Sequence, residues 1–174
     1  MTELLATISL GDAIYRYFGN SGDFATAVGT KNDYSNMGSA LGGYVVEAAT
    51  GKDLNDFIDE QIFTPLGMDS SSFRITDVPE AKHVNHYKGN YNNWTRTGFY
   101  SFSDYPNGGL RSSARDLARF LGMIANEGLC NDTRILQSDT VDEMLTLQPQ
   151  QSGAEKNPQL YGFFKDSASS DAWL

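Results

Sequence analysis

The chain is short of the residues on which several chemistries depend. It has one cysteine, Cys130, and two histidines, His83 and His86. A single thiol excludes an internal disulfide framework and a cysteine-rich zinc site, and it leaves the redox compartment open. Basic residues number 13 against 22 acidic ones, for a net charge of −9. That balance argues against a nucleic-acid partner, because neutralising phosphates needs a surplus of Lys and Arg. No run approaches the roughly 20 apolar residues of a membrane span. The opening Met1-Thr2-Glu3 has no basic stretch ahead of an apolar one, so no signal peptide is expected. A phosphate-cradling loop, a dinucleotide glycine fingerprint, internal repeats and low-complexity tracts are all missing.

What is present suffices for a core. Hydrophobic residues make up 40% and aromatics 12% of 174 residues, about one domain's worth of chain. This composition argues against intrinsic disorder. The chain reads as helical stretches separated by Gly-, Asn- and Ser-rich loops. A short helix is expected from about Ser9 to Phe18, broken by Gly19-Asn20-Ser21-Gly22. A stronger one runs from Met37 to Thr50, capped by Ser35 or Asn36 and ended by Gly51, with Met37, Leu41, Tyr44, Val45 and Ala48 on one stripe. Gly38, Gly42 and Gly43 are poor helix formers, and they predict that another element packs very close. A third helix is expected from Asp53 to Phe63, terminated by Thr64-Pro65-Leu66-Gly67.

The segment from Asp69 to Asn107 is loop-rich, with room for short strands. The clearest helix spans Ser113 to Glu127. Ser113 and Asp116 are spaced as a capping pair, Leu117, Phe120, Leu121 and Ile124 form the expected buried stripe, and Gly128 ends it. A last helix is expected from Asp139 to Leu147, capped by Ser138. The polar tail from Gln150 reads as loop, with a possible strand at Leu160 to Phe164.

Three groups of residues could carry chemistry. His83 and His86 have a spacing that would present two nitrogens to a metal on a helix, but Pro79, Asn85 and Gly89 make this a loop. Solvated surface histidines are the favoured reading, and no metal is expected. The aromatics from Tyr87 to Tyr105 could line a ligand cleft. Covering the core beneath a long loop is the favoured reading. Tyr34-Ser35-Asn36 stands just before a helix. A phenol, with a reference pKa of about 10, becomes a proton shuttle beside cationic groups, and an Asn amide can orient a substrate or a lysine.

Tyr34-Ser35-Asn36-Met37-Gly38, followed by Gly42-Gly43-Tyr44-Val45-Val46-Glu47 and Thr50-Gly51, resembles the Tyr-x-Asn region of the serine β-lactamase-like family. The branch is the class C-like one, with family VIII carboxylesterases, D-alanyl-D-alanine carboxypeptidases and D-aminopeptidases. Ile62-Phe63-Thr64-Pro65-Leu66-Gly67-Met68-Asp69 is similar to that branch's next turn. The run from Tyr105-Pro106-Asn107-Gly108-Gly109-Leu110 through Asp116-Leu117-Ala118-Arg119-Phe120 is similar to the one after it. Ile135-Leu136 and Thr140-Val141 with Met144 fit the following stretch. Together these cover roughly Ser9 to Phe164. Val28-Gly29-Thr30 stands where such proteins often read Pro-Gly-Thr, and Asn107 where alanine is common.

The large departure is the nucleophile. Family members attack with the serine of Ser-x-x-Lys, whose lysine lies one helical turn on. Three residues before Lys31, Lys52, Lys82, Lys88, Lys156 and Lys165 stand Val28, Ala49, Pro79, Asn85, Gly153 and Gly162. The third family motif, Lys-Thr-Gly or His-x-Gly, is not found either. The resemblance places the first motif upstream of Tyr34 and the third beyond about Leu174.

The resemblance therefore implies an α+β, mostly helical chain. It would be the helical lobe of a β-lactamase/DD-peptidase-like fold with most of the antiparallel sheet missing, forming one partial domain over residues 1–174. It implies Tyr34 as the catalytic proton shuttle, with Asn36, Gly108 and Gly109 binding substrate. The substrate would be a small ester, β-lactam or D-amino-acyl peptide, with no cofactor. An apolar face left exposed would drive self-association. The branch often acts outside the cytoplasm, so a periplasmic or extracellular site is the expectation. The chain alone is expected to be inactive. The alternative reading is a non-catalytic β-lactamase-like pseudoenzyme or helical binding module.

Overall fold

The computed structural model describes residues 8–20 and 35–146. Tyr34, the Val28-Gly29-Thr30 stretch, the tail from Gln150 and the possible strand at Leu160 to Phe164 lie outside the described residues. Six α-helical segments carry the fold: α1 (Leu10–Asn20), α2 (Asn36–Thr50), α3 (Leu54–Ile58), α4 (Thr64–Leu66), α5 (Ala114–Ala125) and α6 (Ser138–Leu145). Among the described residues, the strands form two small antiparallel hairpins. These are β1 (Tyr87–Asn90) with β2 (Asn93–Arg96), and β3 (Leu129–Cys130) with β4 (Thr133–Arg134). The expected mostly helical α+β class is what the chain adopts.

α3 and α4 are one helix interrupted by a π turn, Asp59–Phe63. Pro65 supplies the reason. It has no N–H, and its ring would collide with the carbonyl four residues earlier in a regular helix. Widening the turn just ahead of it relieves that collision, so the helix continues past the expected stop at Phe63 to Leu66.

Two apolar clusters hold the helices together. Phe63, Leu66, Met68, Met123, Ile124 and Val141 join the end of this helix to α5 and α6. Leu10, Ile14, Ala40 and Leu54 join α1, α2 and α3, and Ile58 packs against both clusters.

Two helices bury only part of the stripe their periodicity suggests: Met37 in α2, and Phe120 and Ile124 in α5, pack into the core. In α2 the stripe of large residues is outward, with Leu41 38% and Val45 57% exposed, while Ala40 is fully buried. The buried side is the small-residue side. A Cβ added at Gly43 would lie 2.7 Å from Pro106 Cγ and 2.8 Å from Leu54 Cδ2, so the close approach expected of the glycines occurs at this one. In α5 the expected stripe is half buried: Ile124 is in the core and Phe120 packs against it, but Leu117 and Leu121 are exposed, and Asp116 and Met123 are buried with Ile124. Hydrogen bonds from Ser70 and Ser71 to the Asp116 carboxylate turn that side inward. The caps are also resolved. Ser35, not Asn36, caps α2, its Oγ accepting from the Gly38 N–H at 3.0 Å. Ser138 is the first residue of α6 rather than its cap.

The loop-rich segment does contain strands. Its aromatics cover the core only in part: Phe99 is buried and Tyr105 packs against the cluster of α1, α2 and α3, while Tyr87, Tyr91, Trp94 and Tyr100 are exposed.

The adjacent glycines of α2 should respond oppositely to alanine. Gly43→Ala should destabilise the fold by about 1–3 kcal/mol through overpacking. Gly42→Ala meets nothing within 4 Å and should stabilise it by roughly 0.5–1 kcal/mol through helix propensity. Urea denaturation of the two variants checks this, and equal effects would refute the close packing at Gly43.

Candidate functional site

The turn at Tyr105–Asn107 seats Pro106 against Gly43, and this contact ties the glycine pair Gly108-Gly109 to α2. Gly109 is buried, its N–H donating to the Tyr105 carbonyl at 2.7 Å, and Gly108 is exposed. Asn36 is the first residue of α2 and exposed, seven residues or roughly 10 Å of helix before Gly43. Because Ser35 provides the cap, the Asn36 side chain has no hydrogen-bond partner among the described residues. The structure thus describes three of the four expected site residues. It brings Gly108 and Gly109 to the lining of a cleft, with Asn36 outside that lining.

Two clefts meet at a wall made by Phe102, Gly109 and Arg111. Cleft I, about 700 Å³, lies along the C-terminal half of α2. Apart from Arg111 in the shared wall, its charged residues are bonded internally. Glu47 accepts from the Leu54 N–H at 3.0 Å and the Tyr105 hydroxyl at 3.3 Å. Arg74 bridges Asp53 at 2.8 Å and Asp56 at 2.6 Å, and Lys52 pairs with Glu60. Burial, then the nearby Glu47 and Asp53 charges, pushes the Tyr105 phenol well above its ordinary pKa. Tyr105 is therefore a neutral donor, the opposite of what a proton-shuttling tyrosine needs.

Cleft II, about 530 Å³, lies on the other side of the wall. It is lined by His83 and His86, by Phe99, Tyr100 and Phe102, and by the run Gly108 to Ser113. The His83 ring stands 4.7 Å from that of Phe99, and its Nε2–H donates to the Val78 carbonyl at 3.0 Å. Among the described residues no group of three or more His, Cys, Asp or Glu is placed to hold a metal. Two residues that spacing had not singled out shape this cleft, Lys82 and Arg111. Arg111 stood in plain view as the variable position after Gly-Gly-Leu, but nothing in a sequence says which way a side chain at such a position turns.

One long-range bracket positions the floor. The Asp116 carboxylate accepts from the Ser70 N–H at 2.8 Å and the Ser71 Oγ at 2.9 Å, 46 and 45 residues away. Beside it, Ser72 and Arg111 exchange backbone hydrogen bonds of 3.0 and 2.9 Å. The expected capping pair is half formed. Ser113 Oγ accepts from the Asp116 N–H at 3.1 Å, but the carboxylate turns to the serine loop instead of back to the cap. Burial alone would raise the Asp116 pKa. The hydrogen bonds from Ser71 and Ser70, the Ser113 hydroxyl and the Arg119 charge outweigh it and hold the carboxyl below its usual range.

The Beta-lactamase family model matches residues 15–169. Beta-lactamase-like protein 2 of Dictyostelium discoideum is 31% identical over 120 residues, covering 65% of this chain and 20% of that protein. Among solved structures, the octameric penicillin-binding protein homologue from Pyrococcus abyssi superposes with a TM-score of 0.65 at 25% identity, over 80% of this chain and 30% of its own. The D-amino acid amidase from Ochrobactrum anthropi SV3, complexed with L-phenylalanine amide, gives a TM-score of 0.55 at 25% identity, over 66% and 33%. The chain spans a fifth to a third of the lengths of these relatives. In the fold they share, it forms the helical lobe.

The depressed Asp116 pKa has a sign in stability. Its contribution is complete above the unfolded carboxyl pKa of about 3.9 and is lost as pH falls through the lower folded value. Asp116→Asn should therefore be less stable than the parent at pH 7, with the gap closing in acid. Unfolding midpoints of both chains between pH 7 and pH 2 measure it, and a gap independent of pH would remove the charge from the bracket.

Proposed function

The chain belongs to the Beta-lactamase family, and we propose that it is part of a serine hydrolase working through an acyl-enzyme on an ester, a β-lactam or a D-amino-acyl amide. In this reading a serine hydroxyl from outside the chain attacks the substrate carbonyl. Tyr34 carries the proton between that hydroxyl and the leaving group, and Asn36 orients the substrate or the activating lysine. Gly108 and Gly109 border the bound substrate.

The single observation that carries the reading is the family match over residues 15–169, a span that contains Tyr34-Ser35-Asn36 and Gly108-Gly109. The unbonded Asn36 amide is in keeping with a role toward a ligand. The amidase from Ochrobactrum anthropi SV3 is complexed with an amino-acid amide, which supports including the amide class among substrates. A second reading, a non-catalytic module, is favoured by one feature: no lysine in the chain has a serine three residues before it. The exposed Leu41, Val45, Leu117 and Leu121 fit surfaces that the rest of an enzyme would cover. In this chain alone they would drive self-association.

Two measurements test the proposal. The isolated chain should show no turnover of a chromogenic cephalosporin or a p-nitrophenyl ester and no covalent labelling by penicillin. In the protein extended by its flanking coding sequence, turnover should appear, and Tyr34→Phe should cut it about 10²-fold or more, as expected for a positioned proton-transfer group. Near-normal kinetics in Tyr34→Phe would take Tyr34 out of the mechanism. Absence of turnover in the extended protein would favour the non-catalytic module.

A further inference from the structure

Cleft II runs against the charge of the molecule. The chain has a net charge of −9, yet the lining of this cleft holds Lys82, Arg111, His83 and His86 and no carboxylate. Among the described residues neither Lys82 nor Arg111 forms an ion pair. Glu80, on the same turn as Lys82, lies 4.0 Å from Arg96 instead. Asp116 spends its carboxylate on Ser70 and Ser71 and does not line the cleft.

Arg111 is held in place without being neutralised. Its guanidinium donates to the carbonyls of Gly109 at 2.9 Å, Phe73 at 3.5 Å and Tyr100. These partners are neutral, and a guanidinium stays protonated in proteins. A fixed, partly buried positive charge therefore stands in the wall with no counterion among the described residues. Its burial, which lowers its proton affinity, is what such a charge suffers when no anion is near. Lower local dielectric makes an arriving anion worth more there than at an open surface. Beside the charges the lining is aromatic, with Phe99 buried and Tyr100 stacked on Phe102 at 6.0 Å.

We propose that cleft II binds a small carboxylate that carries an aromatic body. The carboxylate sits against Arg111 and Lys82, and the body lies among Phe99, Tyr100 and Phe102. The inference rests on the proposed reading in that Gly108 and Gly109, which border the substrate there, also line this cleft; binding needs neither the nucleophile nor Tyr34, so its failure is distinguishable from a failure of turnover.

The test is calorimetric titration of the full chain with phenylacetate and with phenylacetamide, its uncharged isostere, at low salt. Phenylacetate should saturate a single site and bind about tenfold or more tighter than the amide, a difference of about 1.4 kcal/mol. Raising the salt to roughly 0.5 M should weaken phenylacetate binding, because part of the attraction is screened. Lys82→Gln should weaken it about three- to tenfold, the effect of losing one charge-assisted contact. Lys82 is exposed, so this variant is expected to fold even if Arg111→Gln does not. Equal binding of acid and amide, failure to saturate, or no effect of Lys82→Gln would each overturn the proposal.

Discussion

The contact of Gly43 with Pro106 and Leu54 sets the geometry of everything around it. At that point three separate segments approach so closely that a single methyl group would not fit without movement. The approach brings the 105–107 turn down onto α2. It thereby fixes the height of Gly108-Gly109 and of the wall that divides the two clefts. A helix that buries Ala40, seats Gly43 against its neighbours and leaves Leu41 and Val45 outside is built for a close neighbour more than for burying apolar area. Packing density here outweighs the transfer free energy that the larger side chains would have supplied.

The Asp116 bracket complements that contact electrostatically. A buried carboxylate is costly unless donors surround it. Here they come from a loop more than forty residues earlier in the chain. The same loop pairs with Arg111 through backbone hydrogen bonds, so the bracket also determines where the Arg111 side chain leaves the backbone. The two clefts then differ in kind. In cleft I, Glu47, Lys52, Asp53 and Arg74 each have an opposite charge or a hydrogen-bond partner, and the pattern serves the fold. In cleft II, Lys82 and Arg111 have no ion-pair partner among the described residues.

Membership of the Beta-lactamase family accounts for the exposed side of the lobe as well. The relatives are three to five times longer than the span matched here. Hydrophobic residues that point outward from α2 and α5 are unusual for a small acidic chain. They are natural on one layer of a larger packed structure.

Much of this was legible in the amino-acid sequence. The helices from Asn36 and from Ala114 were readable because caps, end-glycines and 3.6-residue periodicity are local signals. The family was readable because the Tyr34 region, the turn from Ile62 to Asp69 and the run from Tyr105 to Phe120 are each contiguous and follow in order, even without the Ser-x-x-Lys and Lys-Thr-Gly motifs. The closeness at Gly43 was foreshadowed by poor helix formers in a helical stretch. Periodicity alone could not say which face would be buried. It counts large apolar residues, and both α2 and α5 chose a face by their partners: a proline and a leucine for α2, and two serine donors for Asp116. Nor could spacing reveal that Arg111 and Lys82 have no ion-pair partner among the described residues, since pairing depends on where each side chain turns in the folded chain. The sequence by itself determined the elements, the family and the excluded chemistries, because those rest on short-range pattern and composition. Only the tertiary structure decided the buried faces, the division into two clefts and the unpaired charge in one of them, because each depends on contacts between distant segments.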